Sequence, residues 1–254
     1  MTTPQNRLIE SQFGATAEAY VTSAVHAEGA DLARIAEIAA SLRPARAVDL
    51  GTGGGHVAYA LAPHAGEVIA CDLSADMLAA VERTAAERGL GSIRTVVADV
   101  AGLPVETASA DLVASRFSAH HWMDLSGALG EARRVLRPGA PAVFADVVTS
   151  GVPLFDTHLQ AVELLRDPSH VRNRTIGEWC ALLEAAGFAL EAIRRDRLRL
   201  DFAAWIARMR TSDLHAAAIR SLQQGASDDV RRHFAIEADG SFLLETAVLE
   251  VRAV

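Results

Sequence analysis

Three aspartates stand directly after apolar runs: Asp49 after Ala47-Val48, Asp72 after Val68-Ile69-Ala70-Cys71, and Asp99 after the run that ends at Ala98. A carboxylate so placed can accept hydrogen bonds from both hydroxyls of a sugar or from an amino edge. Between the first two lies Gly51-Thr52-Gly53-Gly54-Gly55. Such a loop lets the backbone bend sharply and approach a ligand closely. About 20 residues beyond a loop of this kind, nucleotide-binding folds set an acidic residue on the ribose, and Asp72 stands at that distance. The dinucleotide fingerprint Gly-x-Gly-x-x-Gly needs its third glycine where His56 stands, so the spacing departs from that of a nicotinamide dehydrogenase. Further on, His120-His121-Trp122 supplies two imidazoles, whose ordinary pKa of about 6.5 suits proton transfer near neutrality.

These side chains need a scaffold, and the chain alternates short apolar strands with helices. Residues 47–50 predict a buried strand, and residues 56–62 a helix that Pro63 stops. Residues 68–71 predict a strand, and residues 74–88 a helix with Ser74 as N-cap and Gly89 as its stop. Strands follow at 93–98, 111–115 and 141–148, with a helix at 125–136 closed by Arg137-Pro138-Gly139. Such βαβ repetition implies a parallel sheet covered on both faces, with ligands at the carboxyl ends of its strands. All three aspartates belong at that edge. Residues 16–42 are helical in pattern and precede the sheet. Residues 152–186 form a mostly helical insertion. A long strand at 188–200, helices at 202–209, 213–223 and 227–235, an Asp239-Gly240 turn and a strand at 242–251 close the pattern.

The predicted fold is therefore one α/β domain, a Rossmann-like three-layer sandwich. Its seven-stranded, mostly parallel sheet carries an antiparallel C-terminal edge strand, and a helical insertion precedes the last two strands. Within it, residues 1–45 are expected as an N-terminal helical cap, 46–148 as the cofactor-binding core, 149–187 as the insertion, and 188–254 as the C-terminal strands and helices.

Composition narrows the function classes. Half of the 254 residues are hydrophobic and the formal net charge is −8. That balance disfavours general affinity for nucleic acid, which rests on Lys and Arg. Four arginines at 192–199 alternate with other residues as the solvated side of a strand does. No apolar run reaches the roughly 18 residues of a membrane span, and the start lacks a signal peptide's apolar core. Cys71 and Cys180 are far apart and no CxxC pair exists, so a reducing cytoplasm fits best and no structural zinc is expected. The histidine pair lacks further ligands at metal-binding spacing, so no metal is expected there either.

The ordered motifs resemble class I S-adenosylmethionine-dependent methyltransferases. They are most similar to the methyltransferase domain type 11 group, which includes ubiquinone and menaquinone biosynthesis C-methyltransferases. The resemblance spans residues 46–148. It rests on Val-Asp-Leu-Gly-Thr-Gly-Gly-Gly at 48–55, Cys-Asp-Leu-Ser-Ala-Asp-Met-Leu at 71–78, Ala-Asp-Val at 98–100, Ala-Asp-Leu-Val at 110–113, the His-His-Trp run, and Arg-Arg-Val-Leu-Arg-Pro-Gly at 133–139. Leu165 to Arg172 also looks like a segment of uncharacterised bacterial members. The resemblance implies that Asp49, Gly51 and Gly53 shape the methionine site of S-adenosylmethionine, and that Asp72 holds the ribose. It implies that Leu73 and Met77 flank the adenine, that Asp99 and the Val100 backbone recognise its amino edge, and that Arg116 and Phe117 line the methionine pocket. Ala98 departs from the glycine that relatives often carry. Leu73 and Met77 have a plainer reading as core residues, and Gly54 and Gly55 as parts of the turn.

The activity so implied is methyl transfer from S-adenosylmethionine to a small-molecule acceptor at carbon, oxygen or nitrogen, with S-adenosylhomocysteine as product. His120 and His121 are the candidate bases, each with a structural role as its alternative. Tyr20, Arg166, His170 and Arg172 are candidates for the acceptor side. For Arg166 and Arg172 the competing reading is a salt-bridged turn with Asp167 around Pro168. Three rivals remain: a nicotinamide-dependent oxidoreductase, a nucleic-acid methyltransferase, and a non-catalytic S-adenosylmethionine-binding module. The late helices at 202–235 either close the site or form a homodimer surface.

Overall fold

The structure is a computed structural model, and it describes residues 4–14 and 28–254. In chain order the elements are α1 (Pro4–Gly14), α2 (Ala30–Leu42), β1 (Arg46–Leu50), α3 (His56–Leu61), β2 (Glu67–Asp72), α4 (Ala75–Glu87), β3 (Ile93–Val97) and β4 (Leu112–Arg116). After a single 3₁₀ turn, Ala119–His121, come α5 (Leu125–Val135), β5 (Pro141–Thr149), α6 (Pro153–Arg166), β6 (Arg174–Thr175) and α7 (Ile176–Ala185). The chain continues through β7 (Phe188–Leu200), α8 (Phe202–Arg208), α9 (Asp213–Gly225), α10 (Asp228–His233) and β8 (Phe242–Ala253).

The sheet runs β3-β2-β1-β4-β5-β8-β7, and the two-residue β6 pairs with β5 to make eight strands. β3, β2, β1, β4 and β5 are mutually parallel. β8 is antiparallel to both neighbours and lies between β5 and β7, so the long β7 forms the edge. Mixed α/β architecture with antiparallel C-terminal strands thus agrees with the sequence pattern, with β6 as an added strand.

Alternation along each strand builds two cores. Val48, Val113, Phe144 and Leu249 face one side, where α5 and α7 pack with Leu129, Trp179 and Leu183. Their neighbours Ala47, Leu112, Val143 and Val248 face the other, where α2 and α3 bring Ile35, Ala39 and Leu61. Successive side chains of a strand point to opposite faces, which is why a strand covered on both sides reads as a continuous apolar run. A third cluster joins α6, α8, α9 and α10 to the far ends of β7 and β8 through Leu159, Trp205, Ile219, Phe234 and Phe242.

Local chemistry sets the boundaries. Ser74 caps α4 by accepting the Met77 N–H, and Thr175 with Glu178 forms a reciprocal capping box on α7. Such caps contribute about 1 kcal/mol each. α1 lies within the segment expected as an N-terminal helical cap, although the sequence does not delimit it as a separate helix; Pro4 at its first position suits a helix start, but the segment lacks a clear apolar stripe. The four arginines of β7 are all engaged: Arg194 with Glu250, Arg195 with Glu245, Arg199 with Glu237, and Arg197 with the His233 carbonyl.

Candidate functional site

Loops at the carboxyl ends of β1 to β4 surround a cavity of about 350 Å³. The β1–α3 loop forms one wall. Gly51 has φ +65°, and a Cβ there would collide with the Ser118 side chain from the loop after β4. Glycine therefore lets two loops meet at this point. Gly55 has φ +82°, and its Cβ would strike the Tyr59 ring. Gly51, Gly53 and Gly54 line the cavity; Gly55 does not and serves the turn.

The three aspartates line the same cavity. Asp49 is buried within β1, and its Oδ2 accepts the Thr52 hydroxyl at 2.6 Å and the Ala58 N–H at 3.1 Å. Its Oδ1 has no hydrogen-bond partner among the described residues. Burial pushes the Asp49 carboxyl up to about 7, and neighbouring Asp72 adds to the effect. Asp72 ends β2; its Oδ2 accepts the Gly53 N–H at 2.9 Å and its Oδ1 the Ser74 N–H at 3.0 Å. One carboxylate thus ties the glycine loop to the start of α4, and burial raises its pKa as well. Asp99 accepts the Ala101 N–H at 2.9 Å and the Asn6 side-chain amide at 2.8 Å.

Leu73 and Val100 supply apolar wall, as do Ile9, Phe117 and Trp122. Met77 is not part of the lining: its side chain is fully buried in the core, the plainer of its two readings. Arg116 lines the cavity but is tied down, with Nε 2.6 Å and Nη2 3.1 Å from the Asp31 carboxylate of α2. It also lies 4.6 Å over the Phe117 ring. Phe117 itself has φ +51°, held by its N–H bond to Ala145 O at 2.8 Å. A bulky residue in that region costs about 1–3 kcal/mol, and such strain gathers at ligand sites.

The two histidines part company. His121 lines the cavity, whereas His120 turns behind it and binds Asp146 of β5, Nδ1 to Oδ1, at 2.6 Å. Of the acceptor-side candidates, Arg166, His170 and Arg172 do not line the cavity. Arg166 bonds the Trp205 carbonyl at 3.1 Å and lies 3.6 Å from Glu163. Arg172 lies 3.3 Å from Asp156 and 3.7 Å from Glu178. The turn around Pro168 is held otherwise than expected: Asp167 accepts the Ser169 N–H and hydroxyl rather than either arginine. His170 binds Gln160 at 2.9 Å, and burial, with His120 and His121 close by, pushes its pKa down to about 2. Tyr20 lies outside the described residues. Among the described residues no cluster of three or more His, Cys, Asp or Glu is set to hold a metal ion.

Sequence reasoning missed Asn6 and Asp146. A carboxylate inside the apolar run 141–148 was the available signal for Asp146, since such a group is rarely buried without a partner. Asn6 had none, because its bond to Asp99 spans 93 residues and leaves no local pattern.

Comparison with known proteins gives the family of the chain. The model of the methyltransferase domain matches residues 48–144, which contain the glycine loop, the three aspartates and the histidine pair. The protein YafE of Escherichia coli (strain K12) is 41% identical over 196 residues, covering 77% of this chain and 95% of YafE. The chain belongs to the methyltransferase domain family. The uncharacterized methyltransferase YcgJ of Bacillus subtilis (strain 168) is 32% identical to this methyltransferase over 227 residues, covering 89% of this chain and 90% of YcgJ. The crystal structure of YcgJ superposes with a TM-score of 0.84 at 28% identity, covering 88% of this methyltransferase and 97% of YcgJ. The methyltransferase fold seen there is the sheet described above, and no helix among the described residues is long and apolar enough to cross a membrane.

Proposed function

We propose that this methyltransferase moves a methyl group from S-adenosylmethionine to a small-molecule acceptor at carbon, oxygen or nitrogen, and releases S-adenosylhomocysteine. The observation that carries this reading is the convergence of Asp49, Asp72 and Asp99 on one cavity. Their surroundings fit the donor part by part. The unpartnered, buried Oδ1 of Asp49 suits a cationic group, because an unpaired carboxylate in low dielectric is costly. Each oxygen of Asp72 accepts one backbone N–H and retains capacity for a ribose hydroxyl. Asp99 lies beyond β3 beside the apolar Val100, the pairing that an adenine edge and face require, and Leu73 adds apolar lining to the same cavity. Gly51 and Gly53 would shape the methionine end, and Arg116 and Phe117 line the same cavity.

When bound, S-adenosylmethionine supplies a methyl group on a positive sulfonium, an already activated leaving group. The chain's own work is then to hold the acceptor in line, exclude water and accept a proton where one is lost. Alignment alone contributes about 7–11 kcal/mol in well-oriented reactions. Trp122, Phe117 and Ile9 keep the cavity largely apolar, which suits a small organic acceptor. The engaged arginines of β7 and the net charge of −8 support a small acceptor over a nucleic acid. A cytoplasmic setting belongs to the same proposal and rests on two unpaired cysteines, Cys71 and Cys180.

The deciding experiment is calorimetric titration with S-adenosylmethionine and with NADH, beside an Asp72→Ala variant. Micromolar binding of the former, lost in the variant, supports the proposal. Well-folded protein that binds NADH and ignores S-adenosylmethionine overturns it in favour of an oxidoreductase.

A further inference from the structure

β7 is an open edge of the sheet. It runs 13 residues, Phe188–Leu200, and among the described residues it pairs only with β8. Proteins guard such an edge with short strands, Pro, Lys or bulges, because its unpaired N–H and C=O groups invite a further strand. β7 has one bulge, between Leu190 and Ala192, and from Ala192 to Leu200 no Pro, no Lys and an unbroken register. Its arginines guard it little, since acids of the same chain neutralise three of them: Glu250 for Arg194, Glu245 for Arg195 and Glu237 for Arg199.

Asp196 has no such compensation. Aspartate is disfavoured in strands, and this one stands exposed in the middle of β7. Its Oδ1 accepts the Arg197 backbone N–H at 2.7 Å, and no cation among the described residues pairs with it. Two residues before it, Arg194 bonds Glu250 through Nε at 2.8 Å. The two Nη groups of Arg194 have no hydrogen-bond partner among the described residues, and its side chain is 57% exposed. One exposed edge thus carries a carboxylate and a guanidinium fork that do not bond to each other.

We propose that two copies of this chain join edge to edge through β7, antiparallel, on a two-fold axis at Arg195. Symmetry fixes the details. A two-fold axis that continues a sheet stands perpendicular to it, so each face of one copy runs on into the same face of the other. Side chains alternate between faces, and residues opposed across a strand pair share one. Even-numbered residues from Ala192 to Leu200 therefore oppose even-numbered ones, and Arg194 is the one cation in that set. Asp196 faces Arg194 of the second copy in a single register, the one with Arg195 on the axis. That register makes the Arg194–Asp196 pair twice, opposes Ala192 to Leu198, and stops short of the bulge. The two Arg195 side chains meet at the axis, each neutralised by its own Glu245 at 2.9 Å. An axis at Arg194 or at Asp196 would oppose like charges without that relief, which is destabilising.

The interface is isologous, the commonest kind in closed dimers. β5 and β8 separate β7 from the strands whose ends surround the cavity, so the pairing is remote from both cavities. The inference goes beyond the methyl-transfer reading and does not depend on it.

Sedimentation of the full chain over about 1 to 100 μM tests this. Twice the mass of one chain is expected. Asp196→Arg opposes two cations and should raise the dissociation constant at least about tenfold; Arg194→Asp opposes two acids and should do the same. Mixed together, the two variants regain complementary pairs and should dimerise again, which also shows that both fold. Cysteine reads the register. Arg195→Cys should form a disulfide-linked dimer under mild oxidation, since opposed Cβ atoms lie about 4.5–5.5 Å apart. Ile193→Cys, whose two copies would stand roughly 14 Å apart, should not. The unaltered chain, with its free Cys71 and Cys180, is the control. A monomer throughout that range, a dimer whose mass neither charge reversal changes, or cross-linking through Ile193→Cys in place of Arg195→Cys would overturn the proposal.

Discussion

Asn6 donates from Nδ2 to Asp99 Oδ2 at 2.8 Å, joining α1 to the loop after β3 across 93 residues of sequence. The bond sets Asn6 and Ile9 over the cavity rim. If Asp99 meets the adenine edge, Asn6 orients that carboxylate. Asn6→Ala should weaken S-adenosylmethionine binding by about fivefold, the worth of one hydrogen bond of about 1 kcal/mol. Calorimetry reads this directly, and unchanged affinity would separate α1 from donor binding.

Asp49 offers a pH test with a definite sign. Its folded pKa, about 7, lies above the ordinary 3.8. Between those values the folded chain keeps a proton that the unfolded chain has released, so stability from this group falls as pH rises through the interval. Asp49→Asn removes the ionisation and should melt higher than the unaltered chain at pH 8, by about 3 °C, with a smaller difference at pH 5. The same variant should bind S-adenosylmethionine on the order of tenfold more weakly, since the carboxylate proposed to meet its cationic end is gone. A melting difference that does not grow with pH would show that Asp49 is ionised in the folded chain throughout.

Glu250 of β8 behaves in the opposite sense. Arg34 of α2 binds both its oxygens at 2.8 Å and Arg194 binds one at 2.8 Å. Arg34 first, then Arg194, hold the Glu250 carboxyl down at about 2, against an ordinary 4.5. The stability they confer is complete above pH 4.5 and disappears as pH falls toward 2. Glu250→Gln should cost about 1–2 kcal/mol at pH 7, allowing for partial screening by solvent, and much less at pH 3. Denaturant melts at the two pH values measure the difference.

Arg172 is claimed by Asp156 and Glu178 and stands away from the cavity. Arg172→Ala should therefore lower stability by about 0–1 kcal/mol and leave donor affinity unchanged. A loss of turnover with an unchanged melting temperature would return Arg172 to the acceptor side.

How far the sequence disclosed all this depended on the range of the signal. Asp49, Asp72 and Asp99 were readable because each stands at a fixed step in a βαβ unit, so strand period and loop length alone bring them together. Met77 was ambiguous for a related reason: helical spacing puts it near Leu73, and only packing decides that it turns inward. Arg166, His170 and Arg172 were grouped by nearness in sequence. The end of a helix and the loop after it give no sustained periodicity to tell which side chains point inward, and Trp205 of α8 and Gln160 and Asp156 of α6 claim them. The His120–Asp146 bond likewise joins β5 to the turn after β4, a contact fixed by sheet order rather than by local pattern.

The strand order has a consequence for how the chain is made. β7 leaves the ribosome with three helices still to follow before β8 appears, yet β8 is its sole lateral neighbour among the described residues and sits between it and β5. Until β8 inserts, β5 and β7 expose a vacant slot with hydrogen-bonding edges on both sides. An edge of that kind invites pairing with another chain. The parallel half that carries the three aspartates can form as it emerges, while closure of the sheet waits on the final strand. A nascent chain stalled before Phe242 should therefore be more prone to aggregate than one released whole.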